Sequence, residues 1–187
     1  MKKVVLIKSL IASSMMLVSA GSYAADGKIT FTGKVTAASC DVAAGSKDFT
    51  VTLPSVSKDA LGTVAGTVAG HTSFNISLEN CESQTSTAEK VRVAFSGIAD
   101  VNNIYVLKNT ASGTPATGVG LQLFQQDGVT KIDINNGSNK DVEFTIPVKD
   151  AGAQSYDLNY VVAYVNTAGT VTTGDVEAIA TYSVEYN

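Results

Sequence analysis

The residues that could carry chemistry are few and far apart in this sequence. His71 is the single histidine of the 187 residues, and no candidate nucleophile or orienting carboxylate lies near it in a segment rich in glycine and threonine. Asp and Glu are scattered without the spacing of a calcium loop. The triplet Gly118-Val119-Gly120 lacks the glycine spacing and the helix of a dinucleotide-binding turn. We therefore expect no enzymatic activity, no metal and no cofactor.

The two cysteines, Cys40 and Cys81, are the remaining candidates for chemistry. Two cysteines in an exported chain favour a disulfide, and only one pairing is open to them. They are 41 positions apart, and closing a loop of that length is worth about 4 kcal/mol in the chain-entropy model. A metal or redox pair is the alternative, but the spacing is far from C-x-x-C and His71 offers no second ligand class.

Export is indicated by the first 24 residues. Two lysines precede an apolar run over residues 4–18, and a Ser-Tyr-Ala tripeptide ending at Ala24 has the small-x-small pattern of a cleavage site. A membrane anchor is the alternative, but the uninterrupted apolar stretch is too short to span a bilayer. We predict cleavage after Ala24, which leaves a chain of one domain with an excess of acidic residues. That excess argues against a nucleic-acid partner.

Alternation of apolar and polar residues dominates the rest of the chain. Period-two alternation is typical of half-buried strands, and frequent turn signals between them are typical of an all-β sandwich. Asp127-Gly128 and Asn136-Gly137 are the clearest turn signals, and a helical turn is expected near Lys58–Leu61. The predicted strands cover residues 28–36, 49–53, 74–81, 91–97, 104–107, 119–123, 129–134, 144–148, 158–164 and 176–186.

The first and the last predicted strands are strongly patterned, although chain termini are usually frayed. The first strand places four residues on one side, namely Ile29, Phe31, Gly33 and Val35. The last strand does the same with Ala180, Tyr182, Val184 and Tyr186. An exposed strand edge with apolar side chains is an aggregation hazard unless something covers it. Each terminal strand therefore needs a partner, either in its own core or in another chain.

Five blocks in fixed order carry a resemblance to a known family. They are Ile29-x-Phe31-x-Gly33-x-Val35 with Cys40 following, Phe74-x-Ile76-x-Leu78-x-x-Cys81, Val91-x-Val93-x-Phe95-x-Gly97, Gly118-Val119-Gly120-Leu121-Gln122-Leu123, and Gly174 with Ala180-x-Tyr182-x-Val184-x-Tyr186-Asn187. Through these blocks the chain resembles the chaperone–usher pilins, especially type 1-like major fimbrial subunits. The resemblance covers essentially all of the chain after Ala24.

The resemblance implies an incomplete immunoglobulin-like β-sandwich that is completed by a donated strand from a neighbouring subunit. Residues 25–38 would be an N-terminal donor-strand extension, and residues 39–187 would be the pilin domain. A periplasmic chaperone would fill the groove first, and the donor strand of the next subunit would replace it at an outer-membrane usher. The strand beside the groove would carry Gly174, Ala180, Tyr182, Val184 and Tyr186. An ordinary first strand packed in its own core is the alternative for residues 28–36.

Three classes of function remain at this point. The leading one is the shaft-forming major pilin of an extracellular fimbria that supports bacterial adhesion, with identical or related subunits as partners. A minor or tip-associated subunit of the same kind of fimbria is the second, and its low abundance in purified fibres would reveal it. A secreted β-sandwich with an enzymatic or ligand-binding task is the third, and a monomer that is stable alone would favour it.

Overall fold

The computed structural model describes residues 29–187, so the predicted signal peptide and residues 25–28 of the predicted extension lie outside the described residues. Residues 35–187 belong to one compact unit. Within the described part, regular structure is almost entirely β. The strands are β1 (Ser39–Val42), β2 (Val68–Glu82), β3 (Glu89–Gly97), β4 (Leu107–Lys108), β5 (Val119–Gln125), β6 (Lys131–Ile132), β7 (Phe144–Ile146), β8 (Gln154–Asn166) and β9 (Ala180–Tyr186).

Helix is limited to two short segments of the described chain. They are α1 (Ala44–Lys47) and a 3-10 helix at Lys58–Leu61, where a helical turn was predicted. The Ser57 side chain accepts a hydrogen bond from the Ala60 amide and so caps the 3-10 helix. In residues 29–187, no helix has both the length and the apolar character needed to cross a bilayer.

The strands form two antiparallel sheets. The larger sheet has the order β1-β2-β8-β5-β4, with β6 also paired to β5, and the smaller sheet has the order β7-β3-β9. The longest pairing joins β2 to β8, from Val68 opposite Val165 to Cys81 opposite Gln154. Every pairing between these strands is antiparallel. The predicted all-β sandwich is therefore confirmed.

The core lies between the two sheets, where the inward sides of the alternating strands meet. In β3 the buried positions recur at every second residue, as the period-two pattern predicts. Many of the side chains of this core come from β2, β3, β5 and β8, and they are Ile76, Leu78, Val91, Val93, Phe95, Leu121, Leu123, Tyr160 and Val162. Ala38 is also buried in this core, one residue before β1 begins.

Both predicted turns lie one residue earlier than expected, with residues 126–127 and 135–136 at their centres. At the first, the Gly128 amide donates to the Gln125 carbonyl over 2.9 Å, and Gly128 has a φ of 67°. At the second, the left-handed residues are Asn135 and Asn136, with φ of 54° and 62°, and Gly137 follows them. Asn tolerates the left-handed region through local hydrogen bonds of its side chain, so Gly is not required there.

Several strand predictions are wrong in extent. Residues 29–36 of the predicted first strand form no strand, and the predicted strand at 129–134 shrinks to Lys131–Ile132. Residues 49–53 form no strand, although their burial does alternate between Val51 and Leu53. The 104–107 prediction shrinks to β4, because Ile104 and Tyr105 lie in an exposed turn. The last strand begins at Ala180 rather than at residue 176. Alternation reports that one face is buried, but it does not report whether the backbone finds a neighbour to pair with.

Candidate strand-acceptor groove

β9 is an edge strand with one unpaired side. It pairs with β3 from Gly97 opposite Ala180 to Val91 opposite Tyr186, and it lies at the end of its sheet. Among the described residues, no other strand pairs with it. Its outer N–H and C=O groups therefore face a space that could accept another strand, which is how strand addition begins.

The side chains of β9 on the core side are only partly covered. Tyr182, Val184 and Tyr186 are half-buried and pack against the main core, whereas Ser183 points outward and is exposed. Ala180, at the start of the strand, is also exposed. A core strand of a closed sandwich would bury such residues fully, as Val91 and Val93 are buried in the adjacent β3. The unpaired side of β9 is therefore a groove with apolar walls.

Residues 49–53 form a second segment that has half-buried apolar side chains but no ladder partner among residues 29–187. Val51 and Leu53 are half-buried against the same core, and the Phe49 ring lies 6.1 Å from the Phe74 ring while remaining 43% exposed. No backbone-to-backbone hydrogen bond joins this segment to other residues of the described chain. Within the described part of the chain, this segment and β9 therefore each have a side without a ladder partner.

Aromatic rings form the floor of the groove. The Tyr160 ring lies 5.5 Å from Phe74 and 5.2 Å from Phe95, in an edge-to-face arrangement with the latter, and Phe95 lies 6.4 Å from Tyr182. The Tyr160 hydroxyl donates to Asp141 Oδ2 over 2.7 Å. Burial raises the pKa of Asp141, and burial together with Asp141 raises the pKa of Tyr160. These rings therefore pack against one another, and the buried polar pair of Tyr160 and Asp141 is satisfied.

Two tyrosine hydroxyls link β9 to the chain on the far side of the groove. The Cys40 amide donates to the Tyr186 hydroxyl over 2.8 Å, and the Tyr182 hydroxyl donates to the Ser46 carbonyl over 2.6 Å. Burial raises the pKa of Tyr186 and of Tyr182, so both hydroxyls stay protonated at neutral pH. A bridge made by a whole tyrosine side chain shows that the two backbones are not ladder neighbours, which lie about 4.8 Å apart.

The predicted disulfide is present between Cys40 and Cys81. It joins β1 to β2 with a Cα–Cα distance of 4.1 Å, and Cys81 is fully buried. A register irregularity lies at this position, between the Ser39 and Asp41 pairs of β1 with β2. The bridge therefore fixes the chain at the point where the predicted extension enters the domain.

The predicted donor residues stand exposed. Ile29, Phe31 and Val35 are 79%, 89% and 100% exposed, and residues 29–38 form no strand. A Cβ atom built on Gly33 would meet no other atom within 4 Å, so nothing near it in this chain requires a glycine. Among the described residues of a single molecule, therefore, nothing covers the apolar face formed by Ile29, Phe31 and Val35.

Gly174 is not part of the groove strand in this structure. It lies six residues before β9, next to the bridge between Pro115 and Asp175, and its φ is 153°. A Cβ atom there would lie 2.5 Å from the Ala116 amide nitrogen. Close approach of two backbones therefore explains this glycine.

His71 lies in β2 rather than in a loop. Its imidazole is exposed and lies 5.6 Å from the Phe124 ring, a packing contact rather than a catalytic one. No group of three or more His, Cys, Asp or Glu side chains in residues 29–187 has the arrangement to hold a metal ion.

Sequence reasoning missed that residues 49–53 have no ladder partner in the described chain, and it missed the floor of the groove. It treated Phe49, Val51 and Leu53 as an ordinary strand, and it assigned no role to Phe74 or Phe95. The available signal was an alternating segment that ends at Pro54 without an evident hairpin partner.

An antiparallel, immunoglobulin-like sandwich with an open edge is the class of fold that the pilins share. A family model described as "Fimbrial protein" matches residues 29–187. The chain belongs to this family.

Individual relatives agree with this assignment. The chain is 35% identical over its full length to the laminin-binding fimbrial subunit ElfA of Escherichia coli O157:H7, of which the match covers 99%. It is 40% identical to the major fimbrial subunit SMF-1 of Stenotrophomonas maltophilia, with 88% of this chain and 94% of the relative covered. Both relatives are named as fimbrial subunits.

Solved structures show the same fold. A type I fimbria protein of Burkholderia pseudomallei, BPSL1626, is 28% identical with a TM-score of 0.51, and the match covers 79% of this chain and 88% of that one. The P pilus rod subunit PapA superposes with a TM-score of 0.56 at 21% identity, over 79% of this chain and 99% of PapA. The predicted immunoglobulin-like pilin fold is confirmed, and the family is one of structural subunits.

Proposed function

We propose that this protein is the shaft-forming subunit of a bacterial surface fimbria and that it polymerises by donor-strand exchange. One observation carries the proposal: the chain combines an unpaired edge strand that has half-buried apolar side chains with an extension whose apolar face is exposed. In a single molecule, both features leave apolar side chains exposed to water. In a row of copies, the extension of one molecule would cover the open edge of the next.

The extension has the right chemistry for the groove. Ile29, Phe31 and Val35 would enter it from one side of the strand, and full burial of each is worth roughly 1.5–3 kcal/mol. Backbone pairing with β9 and with residues 49–53 adds about 0.5–1.5 kcal/mol net per hydrogen bond. Gly33 would lie where the donor backbone passes closest to the aromatic floor. We place the extension at residues 25–38, with the buried Ala38 as its anchor in the domain.

The proposal includes the partners and the route. The open groove would be covered by a periplasmic chaperone after signal-peptide cleavage at Ala24, and subunits would be passed through an outer-membrane usher to the cell surface. An uncovered apolar edge would otherwise promote aggregation. The assembled fimbria would support adhesion, and ElfA, which is named as laminin-binding, is a relative with that kind of task.

A minor or tip-associated subunit remains the second candidate. The minor fimbrial subunit HifD of Haemophilus influenzae is 33% identical, with 91% of this chain and 79% of HifD covered. The proportion of this protein in purified fibres separates the two roles, because a shaft subunit dominates the fibre mass and a minor subunit does not.

A thermal melt tests strand exchange directly. A subunit that lacks residues 25–37 is melted alone and with a synthetic peptide spanning residues 27–38. We expect a large rise in melting temperature with the peptide, because binding to the folded state alone stabilises it by mass action. A peptide that carries Gly33→Leu is the matched control and should have little effect, since the added side chain would clash with the floor. A truncated subunit that is already stable and does not respond to the peptide would refute the proposal.

A further inference from the structure

We propose that an exposed apolar surface at one end of the sandwich binds the body of the neighbouring copy whose donor strand fills the groove. We call it the apical patch, and it consists of Ile98, Val101, Ile104, Tyr105 and Ile179. The proposal rests on the donor-strand exchange proposed above and adds a second contact to it. The joint between subunits would then consist of an inserted strand and a contact between the folded bodies.

The members of the apical patch are unusually exposed for large apolar residues. Their exposed fractions are 64% for Ile98, 82% for Val101, 59% for Ile104, 40% for Tyr105 and 71% for Ile179. Single exposed apolar residues are common on soluble proteins, but contiguous groups mark interaction surfaces.

The local backbone brings these residues together. Residues 98–108 form a hairpin, in which the Lys108 amide donates to the Ile98 carbonyl over 2.8 Å and the Asp100 amide donates to the Val106 carbonyl over 2.9 Å. Val101, Ile104 and Tyr105 therefore share the tip of one short loop. The Ile134 amide donates a hydrogen bond to the Tyr105 carbonyl over 3.2 Å, which attaches this loop to the segment that follows β6.

Ile179 connects this loop to the groove. The β3–β9 ladder ends with Gly97 opposite Ala180. The next residues beyond this end are Ile98, which follows β3, and Ile179, which precedes β9. A Cβ atom on Gly97 would lie 2.9 Å from the Ile179 carbonyl oxygen, which shows that the two chains remain adjacent there. The apical patch therefore begins where β9 begins, at one end of the groove.

Strand direction decides which end of the groove the donor's body occupies. Every pairing between the strands of the two sheets is antiparallel, and a strand added beside β9 that continues this pattern runs opposite to it. Its Ile29 end then lies near Tyr186, and its Val35 end lies near Ala180. The donor chain leaves the groove next to the apical patch.

The short connection forces the two bodies into contact. Only residues 36–38 separate Val35 from β1 of the donor, and four residue steps span at most about 14 Å. The donor surface around Ser39 is therefore held beside the acceptor's apical patch. It consists of Ala37 and two exposed loops, residues 84–88 and 149–153, which are joined by the Lys149 amide donating to the Thr85 carbonyl over 2.9 Å.

The contact would be heterologous, since the patch and the surface around Ser39 lie at opposite ends of the chain's own sandwich. A repeated heterologous contact builds an open fibre rather than a closed ring. The contact would also fix the angle between successive subunits. With the inserted strand and its three-residue connection alone, that angle would be free to vary.

Hydrogen exchange of full-chain fibres tests the proposal, with the unassembled full chain as the reference. We expect amides of residues 98–106 to exchange at least about tenfold more slowly in the fibre. The β9 amides that do not pair with β3 report independently on filling of the groove. Protection of β9 without protection of residues 98–106 would overturn the apical patch and leave strand exchange intact. Protection of neither would overturn both.

A triple variant, Val101→Ser, Ile104→Ser and Ile179→Ser, gives a second readout. The control is the double variant Val129→Ser and Val142→Ser, whose side chains are 76% and 59% exposed and lie outside the patch. We expect variant fibres with normal β9 protection that dissociate at a lower denaturant concentration than wild-type fibres, whereas control fibres match the wild type. Equal dissociation midpoints for the triple variant and the control would refute the proposal.

Discussion

The two edges of the small sheet, β7 and β9, differ in how each is protected. β7 has three residues, is followed by Pro147, and has Glu143 immediately before it. β9 has seven residues, contains no proline, and faces its open side with half-buried tyrosines and a valine. Short length, proline and charge are the usual means by which proteins prevent a strand from joining an edge. The chain uses all three at β7, whereas β9 is longer, has no proline, and carries one charged residue, Glu185, which is paired with Arg92 of β3. β9 is therefore the edge that is more open to a partner.

The largest expected difference between the two edges is the loss of peptide affinity caused by a charge on the core side of β9. Val184→Asp would place a carboxylate where a donor side chain should pack, and we expect it to weaken binding of the 27–38 peptide by about 100-fold or more. Thr145→Asp on β7 is the matched substitution and should leave peptide affinity unchanged. Isothermal titration calorimetry measures both affinities.

Ser183→Asp controls for an effect of charge on β9 itself. Ser183 is exposed on the outer side of the strand, so the variant should bind the peptide as the wild type does. Equal loss of affinity in Val184→Asp and Thr145→Asp would mean that the two edges are not functionally different.

Removal of one tyrosine hydroxyl near each edge should have a smaller effect on stability and on peptide affinity. Tyr186→Phe removes the acceptor of the Cys40 amide, and Tyr156→Phe removes a donor to the Thr145 carbonyl of β7, which lies 2.8 Å away. Each should lower the unfolding free energy by about 0.5–1.5 kcal/mol in urea titrations. Only Tyr186→Phe should also reduce peptide affinity, because only that hydroxyl crosses the groove. A loss of affinity in Tyr156→Phe alone would contradict the assignment of the groove.

The smallest effect concerns pH and Asp141, next to β7. Burial raises the pKa of this carboxyl above its value in the unfolded chain, so its contribution to stability is present at low pH and is lost as pH rises through the raised pKa. Relative to Asp141→Asn, we expect the unfolding free energy of the peptide-bound subunit to fall from about pH 4 upward. A difference between the two proteins that does not change with pH would contradict the raised pKa.

Much of the fold could be predicted from the sequence, because burial of one face imposes alternation. β3 follows this rule throughout and β2 follows it from Ser73 to Leu78, whereas β5 is buried at six consecutive positions and departs from it. The Asp127-Gly128 signal also predicts a turn, and Gly128 has the left-handed backbone that favours glycine. The extent of the strands could not be predicted as well. Val68 begins β2 inside a segment of small residues, where the pattern carries no signal and only pairing with Val165 of β8 defines the strand.

The groove could be predicted only in part. The alternating sequence predicts the apolar faces of the extension and of β9. It does not predict that the segment with Phe49, Val51 and Leu53 lacks a ladder partner among the described residues. The alternating pattern is the same in a strand that pairs with a neighbour and in an extended segment that has no pairing partner. The gap is a property of three-dimensional arrangement, and the isolated segment gives no sign of it.

The Cys40–Cys81 bridge has a mechanical consequence for a fibre built in this way. A pull on the donor strand would load β1 first, and β1 pairs with β2 over only four residues. Hydrogen bonds in so short a ladder would yield early under tension. The covalent bridge transfers the load at the second residue of β1 to the fifteen-residue β2, which is paired along most of its length with the thirteen-residue β8. Force would then pass through the longest pairing of the sandwich, and a stretched fimbria would resist unravelling from the end of each subunit.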